Sequence, residues 1–526
     1  MENSNLTGEN FDATFVYSVT GAVSYPSSKT GWVYINTVDE WGWSHGVGTS
    51  IEVTGPGSWP FTIRGVQPGT YTLNAYMDNI GQGVRNASNP TGESAMFDVV
   101  DLDVTGRSIT LTDPGPIAPE PLDFVMVLPA NQGAGVLWEG FPTDENYLEI
   151  AQSYNVYWSK NPEMGTETGQ YEGMASVPAG LEPPLYIATG LTDGEEYYFI
   201  VSACADGFEC ADSPTVGPVT IGASTGDWTV SGYITFSGMD LGPMFVAVVG
   251  ESDEGFVVYS KYIPLPSSPQ YYSISGVPDG FYQITIFVDM NENGYIDIGD
   301  FKIGYGGEIV IEVSGGDLIE ELTIYELANV SVRACTSHEK YNGWESYMLG
   351  FEVNEGMKLP VKASLESGPN IPGAIDFIDV EDVDFGVGLD FYSTSPTVGA
   401  TYIFDVTFSD GITESFEASV TAVLDSFATQ LYPVGSVPGD THPTFTWNPP
   451  DSPPAVYTYE IGVSKSAGEG VWWADGIPSS TNSVEFNFNE EAEQDPLNSG
   501  IPYYWWITVT DSSGNEARSD SIEFTP

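Results

Sequence analysis

The chain has 526 residues, with 13 Lys and Arg against 74 Asp and Glu and a formal net charge of −61. A phosphate backbone is bound by clustered Lys and Arg, so a base-poor chain without such a cluster rules out most nucleic-acid binding, and the same arithmetic disfavours an anionic membrane surface. Total charge is 17% against a usual ~25%, so the imbalance reports depletion of base rather than a surplus of acid.

Hydrophobic residues make up 41% and aromatics 13%, enough to bury sizeable cores. At ~100 to 150 residues per domain the length predicts about four or five domains. The 59 Gly and 37 Pro are spread along the chain, a pattern that suits many short strands joined by turns. No window approaches 18 consecutive apolar residues, so no transmembrane segment is expected. The opening Met1-Glu2-Asn3-Ser4 has neither a basic n-region nor an apolar h-region; in an exported protein the signal would have been removed before this numbering begins.

The first segment, 12–113, is matched by a later one. Val19-Thr20-Gly21-Ala22-Val23-Ser24-Tyr25 pairs with Val230-Ser231-Gly232-Tyr233-Ile234-Thr235-Phe236, and Ile63 to Tyr71 with Ile274 to Tyr282. Both matches are offset by 211 positions (230−19 and 274−63). Two separated matches at one offset, each with alternating strand character, predict that 12–113 and 227–327 share a fold. The shared G-V-x-x-G-x-Y followed by an alternating strand resembles the carboxypeptidase regulatory-like, prealbumin-type β-sandwich. That resemblance implies a seven-stranded Greek-key module of a kind found in many exported bacterial proteins.

Asp113 to Pro121 is a Pro-rich linker, extended and semi-rigid. In the next segment, 119–222, a strand Trp at 138 and Leu191-Thr192-Asp193-Gly194-Glu195-Glu196-Tyr197 before a strand resemble a fibronectin type III domain, which implies Tyr197 as its corner tyrosine. Cys204 and Cys210 flank an Asp-Gly turn and can face each other across a tight hairpin; a disulfide and two free thiols are both compatible with this spacing, and Cys335 is left over.

In 227–327 the strand ending at Val288 leads into Asp289-Met290-Asn291-Glu292-Asn293-Gly294-Tyr295-Ile296-Asp297-Ile298-Gly299-Asp300. Oxygen side chains stand at positions 1, 3, 5, 9 and 12 around a Gly at 6, a pattern able to wrap the hard, oxygen-seeking Ca²⁺. By resemblance to EF-hand and dockerin-type loops, Asp289, Asn291 and Asn293 would ligate through side chains, Tyr295 through its carbonyl, Asp297 directly or through water, and Asp300 would close the site. The loop departs from the EF-hand in having Asp at position 12 and a strand before it, and its few carboxylates suit weak binding at about 10⁻⁴ to 10⁻³ M. An Asx-rich turn held by its own side-chain to backbone hydrogen bonds is the other reading. The offset of 211 maps Asp78, Ile80, Gln82, Gly83, Asn86 and Asn89 of the first copy onto Asp289, Asn291, Asn293, Gly294, Asp297 and Asp300. The first loop is therefore expected to keep the turn and to lack most of the metal affinity.

Segment 328–424 is less legible; a strand over 399–408 before Ser409-Asp410-Gly411 suggests an immunoglobulin-like sandwich. In 425–526, Phe445-Thr446-Trp447 and Leu497 to Tyr503 repeat the fibronectin-type signature. Trp138 and Trp447 read as core. Of the adjacent pairs Trp472/Trp473 and Trp505/Trp506, one member each should face outward. Trp32, Trp41, Trp43 and Trp59 could stack on sugar rings, though core packing accounts for most of them. Glu490-Glu491 and Asp382 with Asp384 read as solvated surface rather than as the carboxylate pair of a glycosidase. His45, His338 and His442 lie far apart, and no G-x-S-x-G elbow occurs.

The expectation is an all-β chain of tandem immunoglobulin-like, Greek-key sandwiches in a row, rod-like or gently bent, with Ca²⁺ in the third. It is expected to be non-enzymatic and extracellular or at the cell surface. There it would hold a protein partner or self-associate, with a surface-layer or filament subunit as one form; a carbohydrate-binding accessory protein using exposed Trp and Tyr is the alternative.

Overall fold

The computed structural model describes residues 16–139, 143, 148–222, 226–236, 241–252, 255–303, 309–324, 328–341, 343–371, 373–378, 385–392, 394–466 and 469–526. The first residues of segment 12–113, the last of 227–327, and Asp382 with Asp384 lie outside these. Among the described residues every helix or strand element is a β-strand. Period-two patterning explains why. In Thr401–Phe408 the residues Tyr402, Phe404, Val406 and Phe408 are buried while Thr401, Ile403, Asp405 and Thr407 are not, and the strand ends in a turn with Gly411 at φ +78°, a conformation glycine takes without a Cβ clash.

The first and third modules follow one strand order. Tyr17–Tyr25 sits between Gly57–Val66 and Val104–Thr110, as Trp228–Phe236 sits between Gln270–Val277 and the paired strands Leu318–Ile319 and Leu322–Ile324. The register repeats too: Val19 faces Ile63 and Val230 faces Ile274, each displaced by 211. Gly21 and Gly232 are needed where the last strand crosses close by; a Cβ on either would run into the carbonyl oxygen of Arg107 or Glu320. Each module then closes with a second sheet, Gly31–Asp39, Ser44–Val53 and Gly69–Asp78 in the first, Met244–Ser252, Gly255–Ile263 and Gly280–Val288 in the third.

The second and fifth modules share another plan. In the second, Phe124–Ala130, Gly133–Glu139 and Leu185–Thr189 face Ser153–Ser159, Gly173–Pro178 and Glu196–Cys204. Trp138 is fully buried against Tyr154 at 5.1 Å, and Trp447 is buried against Tyr459 at 5.2 Å. The Tyr197 hydroxyl accepts from the Thr192 N–H at 3.3 Å, and the Tyr503 hydroxyl from the Asn498 N–H at 2.9 Å. A tyrosine bonding the backbone five residues upstream is the corner of an immunoglobulin-type sandwich.

These tandem sandwiches do not form a rod, and the fourth module is the reason. Its sheet of Pro360–Ser367, Ile375–Phe377, Thr401–Phe408 and Thr413–Ser419 continues into the first module's second sheet, with Phe377 paired to Val47. Its other sheet, Val330–Tyr341, Trp344–Glu355 and Gly386–Tyr392, continues into the fifth module, where Ser337 to Glu339 pair in parallel with Glu516–Arg518. Each junction is a nine-stranded sheet. The first junction buries Tyr34 and Tyr76 against Leu365, Ile375 and Phe377. Between the second and third modules a further apolar layer joins Leu128, Leu185 and Ile187 to Phe245 and Phe287. Fully burying an aliphatic or aromatic side chain contributes about 1.5–3 kcal/mol, so these contacts favour a folded-back chain over an extended row.

Candidate functional site

The loop after Gly280–Val288 lies where modules meet. Its backbone turns at Gly294 (φ +88°) and Gly299 (φ +101°). Asp289 and Asp300 are almost buried, at 3% and 6% exposed. Asp289 accepts through Oδ1 from the Asn293 N–H at 3.0 Å and through Oδ2 from the Gly294 N–H at 2.7 Å. Asp300 accepts from the Met290 and Asp297 N–H groups at 2.7 and 2.9 Å. Asn291 and Asn293 donate their amides to the two oxygens of Asp297 at 3.1 and 3.0 Å, while their own oxygens accept the N–H of Asn293 and of Tyr295, both at 3.0 Å. Burial, followed by the Asp297 charge among other causes, raises the Asp300 carboxyl to about 7, and burial raises Asp289 as well.

The six sequence-selected residues therefore share one loop, knitted by Asx hydrogen bonds. Among the described residues no three His, Cys, Asp or Glu side chains converge as a ready-made metal cluster. The donor set is nonetheless all oxygen, which is the chemistry Ca²⁺ takes. The first copy's loop holds the same turn with amides, Asn86 and Asn89, in place of the last two carboxylates. Gly83 N–H to Asp78, Asn86 N–H to Asn89 and Asn89 N–H to the Asn86 carbonyl, at 2.9, 2.6 and 3.0 Å, reproduce Gly294 to Asp289, Asp297 to Asp300 and Asp300 to Asp297. The first loop closes with amides that donate, Asn86 to the Ala151 carbonyl at 2.6 Å and Asn89 to Asn79 at 3.1 Å. Asp297 and Asp300 have carboxylates there, which as anions cannot donate. Among the described residues the ion pairs of the chain include none of Asp289, Asp297 and Asp300.

Sequence reasoning missed what the loop touches. Tyr295 bridges to Tyr186 and packs on the second module's core, Ile296 is fully buried in the layer between the modules, and Ile187 N–H donates to the Gly294 carbonyl at 2.7 Å. On its other side Asp297 and Ile298 share a cavity of about 220 Å³ with Gly81 and Gln82 of the first module and with Lys358 and Asp410 of the fourth. The first loop also docks on the second module, through Ile80 and through the Ala87 N–H to the Glu149 carbonyl at 2.9 Å. The apolar Ile80, Tyr295 and Ile296 inside otherwise polar loops were the available signal.

Cys204 and Cys210 are disulfide-bonded with Cα atoms 4.3 Å apart, and Cys335 is a half-buried free thiol that burial pushes up to about 11. Trp472 and Trp505 are buried, Trp473 is exposed and Trp506 half-buried. Of the four tryptophans near the start, Trp32 packs on the fourth module's core and Trp59 on the first's, whereas Trp41 and Trp43 are 77% and 70% exposed. Glu490 and Glu491 are exposed.

No family model matches the chain, and no curated protein does. Among solved structures, the crystal structure of chicken CNTN1 FN1-FN3 domains aligns with 10% identity over 77% of this chain and 98% of that one, at a TM-score of 0.16. A superposition that loose carries no argument, and the immunoglobulin-type sandwich assignment stands on strand order, the buried Trp and the tyrosine corner.

Proposed function

We propose that the chain is a non-catalytic structural protein of the adhesion or assembly type, working outside the cell or at its surface, with Ca²⁺ as a rivet between its modules. The observation that carries this reading is that the Asp289 to Asp300 loop buries Tyr295 and Ile296 against the second module. Asp289, Asn291, Asn293, the Tyr295 carbonyl, Asp297 and Asp300 would hold the ion. Its charge would neutralise carboxylates that the first loop replaces with amides, and ordering the loop orders the junction. The Cys204–Cys210 bond suits an oxidising compartment, and weak calcium affinity suits extracellular concentrations. The modules interlocked through shared sheets make a stiff unit of the kind a surface layer or filament is built from, in keeping with the exported-module resemblance. A carbohydrate-binding role has less support, since Trp32 and Trp59 are committed to packing and only Trp41 and Trp43 of that group are exposed.

The test is thermal melting of the full chain in EDTA and in millimolar Ca²⁺. A ligand that binds only the folded state raises stability by mass action, so EDTA should lower the melting temperature by several degrees and Ca²⁺ restore it. The double variant Asp297→Asn, Asp300→Asn should fold, because Asn86 and Asn89 hold the same turn, and should lose the calcium response. A wild-type melting temperature indifferent to Ca²⁺, or a double variant that responds like wild type, would sink the proposal.

A further inference from the structure

The sheet shared by the fourth and fifth modules carries an aromatic shelf on the face turned away from the fifth module's core. Strand pairing sets its rows. Gly462 stands opposite Trp473 on one side and Trp506 on the other. A Cβ at 462 would run into the Trp506 indole, so the ring lies over the glycine, and Trp473 meets it edge-on at 5.8 Å. The Arg518 guanidinium stacks on Trp506 at 4.2 Å. In the neighbouring row Glu460 stands opposite Thr508, Thr508 opposite Arg518, and Arg518 opposite Glu339. Residues two apart on a strand share a face, so this row lies on the same side as the indoles. Burial, and after it the charges of Glu516 and Asp475, push the Glu460 carboxyl up to about 7.

Indole faces attract cations through their quadrupole, and adjacent carboxylates supply the counter-charge and the hydrogen-bond acceptors for a guanidinium or ammonium. The chain already contains one such arrangement: Arg518 lies on Trp506 with Glu339 3.6 Å from its Nη1. Trp473, 47% exposed, is the neighbouring indole, and among the described residues no Lys or Arg stacks on it. A second copy is a poor occupant of this shelf, because with 13 bases against 74 acids it has few cationic side chains to place there. A neutral glycan would use the ring and leave the negative field without a purpose.

We propose that the Trp473 and Trp506 shelf, flanked by Glu460 and Asp475, is a docking surface for an Arg- or Lys-bearing segment of a partner protein. This names a partner chemistry for the scaffold reading above, and it does not depend on the calcium loop, so the two fail separately.

The experiment is isothermal titration of the full chain, in ~0.15 M salt and EDTA, with a capped tetra-arginine peptide and, separately, with cellohexaose. Wild type should bind the peptide. Trp473→Ala should weaken it about two- to fivefold, as loss of one exposed cation–π contact implies. Asp475→Asn should weaken it severalfold, while Glu417→Gln on the distant strand Thr413–Ser419 should leave it unchanged. Both Trp473 and Asp475 are exposed, and unchanged melting of the two variants checks that they fold. No peptide binding, equal binding by wild type and Trp473→Ala, or cellohexaose binding that Trp473→Ala abolishes while peptide binding is unaffected, would each overturn the proposal.

Discussion

Individual carboxylates in this chain differ mainly in what surrounds them, and Glu460 shows how that difference becomes measurable. Its folded-state value of about 7, raised by burial and by Glu516, lies above the ~4.3 of an exposed glutamate. The folded state therefore holds its proton more tightly than the unfolded chain. The sign follows by linkage: this contribution to stability is fully present below about 4.3 and is lost as pH rises through about 7. Melting curves from pH 4 to 8 should show a fall for wild type that is smaller in Glu460→Gln, which mimics the protonated form at every pH; equal falls would remove Glu460 as the cause. At the same scale, the oxygen side chains of the Asp289 to Asp300 loop were legible because their spacing is local. Their burial was not, because Ile187 and Tyr186, which cover the loop, lie about a hundred positions away in sequence.

The elements most legible in the sequence were those whose pattern repeats within one module. Alternation alone marks Thr401–Phe408, and two matches at a single offset mark the first and third modules as one plan, down to the pairing of Val19 with Ile63 and Val230 with Ile274. The tyrosine corners allow a graded test. Tyr197 accepts one hydrogen bond, from Thr192, whereas Tyr503 accepts from Asn498 and also from the Gln494 amide, both at 2.9 Å. A net hydrogen bond is worth about 1 kcal/mol, and a donor left unpaired costs more. Tyr197→Phe should cost about 1 kcal/mol in urea unfolding and Tyr503→Phe about 2 kcal/mol; the reverse order would show that these bonds do not anchor the corners. Segment 328–424 was hard to read for a physical reason. Its strands Val330–Tyr341 and Ile375–Phe377 complete sheets that begin in other modules, so part of its patterning answers to partners far away in the chain.

Across the whole molecule, Arg64 is the clearest link between distant modules. Its Nε donates to Asp376 at 3.0 Å and its two terminal nitrogens reach Glu366 at 3.2 and 2.7 Å. Asp376 has a side chain only 1% exposed. Breaking a buried pair costs about 3–5 kcal/mol, and the partial exposure of Arg64, at 35%, lowers the expectation to about 2–3 kcal/mol. Arg64→Met should therefore destabilise by that amount in denaturant and increase the maximum dimension seen by small-angle X-ray scattering, as the first module loosens from the fourth. A variant as compact and stable as wild type would mean that the apolar contacts of Tyr34 and Tyr76 hold the junction alone. Composition and periodicity were sufficient to determine an all-β chain, a repeated module, the buried Trp138 and Trp447, and a polar loop with calcium-like spacing, because strand character, turns and local ligand spacing are encoded within about ten residues of one another. Only the tertiary structure decided that the chain folds back, that the fourth module supplies strands to both the first and the fifth, and that the loop is wedged between modules. Those outcomes depend on sheet edges and apolar faces separated by long stretches of chain, 330 positions between Val47 and Phe377 (377−47), and an open edge or an outward apolar face in a sequence does not say which other segment will cover it.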